Sequence, residues 1–317
     1  MKLKLLSLVI GAAFSAGAIA SPITLPQGPL FFQFTNLEQT ALGVDAATGT
    51  PLNNTNNCVG CSGAAEGNWG VAQVSIMRAG TPNPATAVGG DIGNDIDSLG
   101  SVPFFSDQLF PVAGGQVTAM FHGAVQTSIT NVGTLYSLQS TGGYIDLYWD
   151  DPTLANTIVN IGALSPGGRT GDASFAGVTD GSFLARLGFA SGINPFDATT
   201  GIQGTIDIAL ANQAGNADSY ANVMDFDGDG LINAADGLWA SSLNTDWFGT
   251  VFGTRDIRFS NKIDNNSDWN DPNVLQTGVY GQTSNDPGRG YVPEPASLAL
   301  VSLGLLGLGA SRRRRNS

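Results

Sequence analysis

The stretch SFLARLGFA (182–190) puts Phe183, Ala185, Leu187 and Phe189 on one face and Arg186 on the other. TIDIAL (205–210) likewise alternates Ile206, Ile208 and Leu210 with Thr205 and Asp207. A repeat of two is what a strand with one buried face requires, because successive side chains point to opposite sides. Short runs of this kind recur at 29–36, 69–77, 116–125, 134–140, 143–149 and 256–260, bounded by Gly, Asn, Asp or Pro. Glycine, 43 of 317 residues, punctuates them too often for long helices. The pattern predicts a mainly β fold, an antiparallel β-sandwich or jelly roll, with a parallel-sheet α/β fold as its competitor. The β-rich body is expected over 21–260, and the polar stretch 261–291 reads as a linker beyond the last packed strand.

Both ends carry transport signals. Lys2 and Lys4 precede an apolar run and the small-x-small site Ala18-Ile19-Ala20, so residues 1–20 read as a secretory signal peptide. The chain has 13 basic residues against 26 acids. Lys2, Lys4 and Arg312 to Arg315 are six of the bases; the remaining seven leave a body near −19. Such a surface excludes nucleic acid as a partner and supplies hard oxygen ligands. The two cysteines, Cys58 and Cys61, lie in the Asn/Gly-rich stretch NNTNNCVGCSG. An oxidising compartment favours a small disulfide ring there, and a redox C-x-x-C at a helix start is the alternative.

One acidic motif has a spacing that carries chemistry. In DFDGDGLINAAD (225–236), Asp225, Asp227 and Asp229 occupy positions 1, 3 and 5 of a twelve-residue loop, with Gly230 at the sharp turn. The Leu231 carbonyl, Asn233 and Asp236 complete the set expected to hold Ca²⁺ in a structural role. The loop is of EF-hand type, and Asp at its last position with Asn at the ninth resembles the calcium repeats of dockerins. Dockerins carry two such repeats and this chain has one, so the resemblance implies calcium binding without implying cohesin binding. NAADGLWASSL (233–243) predicts one short helix after the loop. DNNSDWND (264–271) repeats the pattern in part, with Trp269 where the glycine belongs.

At the other end, Val292-Pro293-Glu294-Pro295 leads into fifteen uncharged residues, Ala296 to Ala310, and then Arg312 to Arg315. As a helix that run spans about 22 Å against a hydrocarbon core of about 30 Å, which suits a transient inner-membrane insertion with the arginines on the cytoplasmic side. The three parts in this order resemble the PEP-CTERM sorting signal of exported Gram-negative proteins. The resemblance implies that Pro293, Glu294 and Pro295 are read by a membrane-embedded exosortase, and that the body ends at the cell surface or in the extracellular matrix. In general style the body also resembles PEP-CTERM cargo, including flocculation-associated members.

No nucleophile elbow, phosphate loop or dinucleotide fingerprint is present in the sequence. The single histidine, His122, lies in an expected strand. Asp146, Asp150 and Asp151 in GYIDLYWDD are the candidates for carboxylate catalysis. The expectation is therefore a non-catalytic surface or matrix protein acting in adhesion, flocculation or exopolysaccharide association. A secreted polysaccharide-active enzyme using these aspartates is the alternative.

Overall fold

A computed structural model describes residues 24–79, 102–106, 115–151 and 158–293. The signal peptide, Glu294, Pro295, the apolar run and the arginines lie outside the described residues. Among those described, no helix is long and apolar enough to cross a membrane.

The chain is mainly β. Its strands are β1 (Gly28–Ala41), β2 (Asn68–Ala79), β3 (Val102–Ser106), β4 (Gln116–Val132), β5 (Leu135–Asp150), β6 (Arg169–Gly171), β7 (Ser174–Phe175), β8 (Ser182–Ala190), β9 (Ile202–Asp207), β10 (Gly215–Val223), β11 (Phe248–Thr250), β12 (Gly253–Arg255), β13 (Ile257–Asn265) and β14 (Val279–Val292). The main sheet runs β1-β14-β13-β10-β8-β5-β4-β2, and β2 then pairs with β1. Every one of these pairings is antiparallel. The sheet is thus a closed barrel, where stacked layers were expected. Alternation reports that one face is buried; whether the opposing strands belong to a second sheet or to the same one is decided by long-range pairing. Two staves are composite. Strand β9 takes over from β8 along β5 and β10, and β3 takes over from β4 along β2.

The expected linker at 261–291 is instead structural. Strand β14 fills the gap between β1 and β13 and pairs with β1 along its whole length. Its sequence, VYGQTSNDPGRGYV, looks polar because its inward positions make room for their neighbours. A Cβ on Gly288 would lie 2.9 Å from Phe259 and 3.0 Å from Phe34, and one on Gly290 would lie 2.7 Å from Ile257. The aromatic side chains of β1 and β13 occupy the space that β14 leaves open.

One end of the barrel holds the main core, with Leu30, Phe32, Phe34, Trp149, Leu187 and Phe259 facing inward. A second cluster lies outside the wall, where Leu37, Trp69, Val71 and Met120 are covered by Ile161, Phe175, Val178 and Trp269. A buried ion pair, Arg169 to Glu66 at 2.7 Å, fastens that cover, and Glu66 also accepts the Gly123 N–H. The helix expected after the acidic loop is present as a 3-10 turn at Ala234–Asp236 followed by α1 (Ala240–Leu243). A second short helix, α2 (Val274–Thr277), precedes β14.

Candidate functional site

The acidic loop leaves β10 beside β8 and returns along it. Gly237 has φ 126°, and a Cβ there would meet the Leu184 carbonyl oxygen at 2.3 Å. Only glycine lets the chain come this close. The Trp239 N–H then donates to that same carbonyl at 2.7 Å. Trp239, Ala240 and Leu243 thereby enter the main core, where each large apolar side chain contributes about 1.5–3 kcal/mol. The loop is therefore coupled to the barrel interior.

Asp225, Asp227 and Asp229 converge, with one carboxylate oxygen from each lying within 4.8 Å of the others. Among the described residues this is the one such group of three metal-ligating side chains; Asp264, Asp268 and Asp271 do not form another. Trp269 explains why, since its ring is buried against Trp69 and Phe175 and sets the course of that turn.

Asp225 accepts the N–H groups of Gly228 and Gly230, both at 2.7 Å, and Asp229 accepts that of Leu231 at 2.8 Å. The Asp227 carboxyl accepts the Asp229 N–H, which favours ionisation. Desolvation and the charges of Asp229, Asp236 and Asp225 outweigh it and raise its pKa above the ordinary value. Three hard oxygens converging on one point fit a divalent cation of the calcium type.

The remaining expected ligands are placed differently. Asp236 is fully buried and accepts the N–H groups of Asn233 at 2.8 Å, Phe226 at 2.6 Å and Asp227 at 3.1 Å. These bonds, that from Asn233 foremost, hold its carboxyl below the usual range. The Asn233 amide oxygen accepts the Ala235 N–H and caps the following turn. Leu231 is exposed, and its carbonyl lies 3.5 Å from the Asn233 amide nitrogen. The structure thus brings together the first three acids, while Asp236 and Asn233 act as the clasp of the loop.

The three aspartates considered for catalysis are all buried. On the outer face of β5, Asp146 accepts two bonds from Arg186, at 2.6 and 2.7 Å, and lies 3.1 Å from His122 Nε2. Asp150 accepts the Thr118 hydroxyl at 3.0 Å, and burial pushes its pKa up to about 7. The Arg186 guanidinium also stacks on Phe226 of the acidic loop, 4.6 Å from the ring centre. His122 and Arg186 are thus joined through Asp146 in one cluster, a link that strand alternation does not reveal. Cys58 and Cys61 are bonded to each other in a surface turn.

Of the sorting motif, Val292 and Pro293 are described, at the end of β14. Residues 292–315 match the family described as the PEP-CTERM protein-sorting motif. No curated protein and no solved structure matches the chain.

One further set of residues carries no motif in the sequence. Along the inward face of β1, Leu30, Phe32 and Phe34 give way to Asn36, Glu38 and Thr40, all facing the barrel interior. That change of polarity at constant period is visible in FFQFTNLEQT once the strand is extended to Ala41.

Proposed function

We propose that the body acts outside the cell as a non-catalytic surface or matrix protein that associates with exopolysaccharide, its 225–236 loop stabilised by Ca²⁺. The observation that carries this reading is the C-terminal match, which marks an exported protein sorted by exosortase and processed at the membrane. Placement at the cell surface of a Gram-negative bacterium extends that match by the known use of such signals.

Two features of the body support the rest. Ser128, Thr130, Ser137, Gln139, Gln203 and Asn216 line a polar depression on the β4, β5, β9 and β10 staves. Rows of hydroxyl and amide groups suit many weak hydrogen bonds to sugar hydroxyls. Asp146 and Asp150 are buried among protein partners, an arrangement that favours structural work over attack on a polymer.

The test uses a deletion strain scored for aggregation and matrix retention, together with the purified protein incubated with the producer's exopolysaccharide. Retention of the polymer without release of reducing ends, weakened by chelator, is the expected result. Release of reducing ends that disappears in Asp150→Asn or Asp146→Asn would replace this reading with the enzymatic one.

A further inference from the structure

The main core fills one end of the barrel, and a smaller apolar cluster of Leu42, Ile206 and Ile263, with Leu138 and Tyr280 packed against it, fills the other. Between them, beyond Phe34, Phe121 and Phe259, lies a cavity of about 90 Å³ whose largely apolar wall is interrupted by Asn36, Glu38, Asn68, Gln126, Asn261 and Gln282. One water needs about 10–15 Å³ of such space, so there is room for a small organic molecule. Glu38 is the single titratable residue among the described residues lining it, and no lysine, arginine or histidine faces it there.

The polar groups around Glu38 are fixed in orientation by the bonds they already make. Asn68 and Asn36 donate side-chain bonds to the Glu38 carboxylate. Their own amide oxygens are buried and have no partner. Gln126 donates its amide to the Gly67 carbonyl at 3.1 Å, which leaves its oxygen unpartnered as well. The Asn261 amide oxygen is a fourth buried acceptor without a donor. Against these stands one idle donor, Nε2 of Gln282, whose oxygen is held by the Thr40 hydroxyl. Buried polar groups without partners are costly and rare, and four idle acceptors lining the same cavity as one carboxyl call for a ligand rich in donors.

We propose that the barrel interior binds a small primary ammonium compound with an apolar tail, its ammonium seated among Glu38, Asn36, Asn68, Gln126 and Asn261 and its tail against Phe121, Ile145 and Phe189. An ammonium has three donors and no acceptor, which matches the excess of acceptors. The tail meets the half of the cavity that water would leave dry. Access lies at the composite stave: β8 stops at Ala190 and β9 starts at Ile202, and Phe189, Ile202, Ser140 and Ser219 beside that break line the cavity. With no cation present, burial pushes Glu38 up to about 7 despite the bonds from Asn68 and Asn36. An arriving ammonium favours the carboxylate, so below that value binding expels a proton from Glu38.

The experiment is calorimetry of the purified full chain with three probes of equal length: hexylammonium, 1-hexanol and hexanoate. At about pH 8, hexylammonium is expected to bind at least about tenfold tighter than hexanol, with hexanoate not binding. At about pH 6, titrations in buffers of different ionisation enthalpy should show close to one proton released per hexylammonium bound. Glu38→Gln should abolish both the preference and the proton release while hexanol still binds, and Ala119→Leu, which narrows the cavity but keeps Glu38, should weaken hexylammonium and hexanol alike. Equal binding of amine and alcohol to the unmodified chain, or an amine preference that survives Glu38→Gln, would overturn the proposal. Binding of none of the probes would mean that the interior holds solvent alone, and overturns it too. The proton-release series needs no variant, so it decides the matter even if Glu38→Gln fails to fold.

Discussion

Asp146 and Glu38 are both buried acids on barrel staves, and their surroundings drive them in opposite directions. Burial works against ionisation of Asp146, but the hydrogen bonds from Arg186 and His122 outweigh it and hold its pKa below the ordinary 3.8. Its stabilising contribution is therefore present above that ordinary value and is lost as pH falls through the lower folded one. Asp146→Asn should cost about 2–3 kcal/mol by urea unfolding at neutral pH, somewhat less than a fully enclosed pair because Arg186 remains 24% exposed. An unchanged urea midpoint would mean that the pair contributes nothing. Glu38 is raised from 4.5 to about 7, mainly by burial. The folded protein then holds a proton that the unfolded chain releases, so stability is full below 4.5 and declines as pH rises toward about 7. Glu38→Gln should remove that decline and stabilise the unliganded chain at about pH 8 by roughly 1–3 kcal/mol. Asn36 or Asn68 can present its unpartnered oxygen to the new amide, so the substitution leaves no donor facing a donor. A stability curve with the same slope in wild type and variant would show that Glu38 is not the group responsible. Neither environment was legible beforehand. Each depends in part on residues far away in sequence, His122 and Arg186 for Asp146 and Asn68 for Glu38, and periodicity carries no information on which stave lies beside which.

The strands themselves were legible where their own side chains fill the core, as in SFLARLGFA, which became β8 (Ser182–Ala190). They were illegible where a neighbour fills it, as at Gly288 and Gly290 of β14, whose inward space is taken by Phe34, Phe259 and Ile257. The acidic loop lies between these cases. Its spacing identified Asp225, Asp227 and Asp229 as a convergent set, and they converge. Spacing did not distinguish a ligand from a clasp, and Asp236 uses both its oxygens on backbone N–H groups. The two roles predict different behaviour. Asp227→Asn should lower the melting temperature only when Ca²⁺ is present, because it removes a ligand charge and leaves the loop's internal bonds in place. Asp236→Asn should lower it with Ca²⁺ and with chelator alike, because the carboxylate closes the loop that delivers Trp239 and Leu243 to the core. Thermal unfolding of both variants in Ca²⁺ and in chelator separates the cases. A melting temperature of the unmodified chain that ignores chelator, with no heat on adding Ca²⁺, would remove calcium from the account.

A barrel closed through β14 also determines what truncation does. Gly28 pairs with Val292, the first residue of the matched motif, so the Pro293-Glu294-Pro295 triplet begins one residue beyond the last pairing and the barrel closes before it. Routing and folding are then separable. Replacing Glu294 or deleting Arg312 to Arg315 should leave unprocessed protein in the inner membrane while the body keeps its unfolding midpoint. Recovery of the intact C-terminal peptide from mature extracellular protein would contradict processing at this motif. The opposite behaviour is expected for a cut made further upstream. Ending the chain after Pro293 retains every pairing of β14 with β1 and β13 and should leave a single cooperative unfolding transition. Ending it after Gly278 removes the stave between them and exposes the inward faces of Phe32, Phe34 and Phe259. Two open sheet edges beside that apolar surface favour association over folding. The shorter chain should therefore be recovered as aggregate, or as a monomer without a cooperative transition by circular dichroism. Were it instead to fold with the midpoint of the longer chain, residues 279–292 would be the dispensable linker that their composition suggests, and the closed barrel would be wrong.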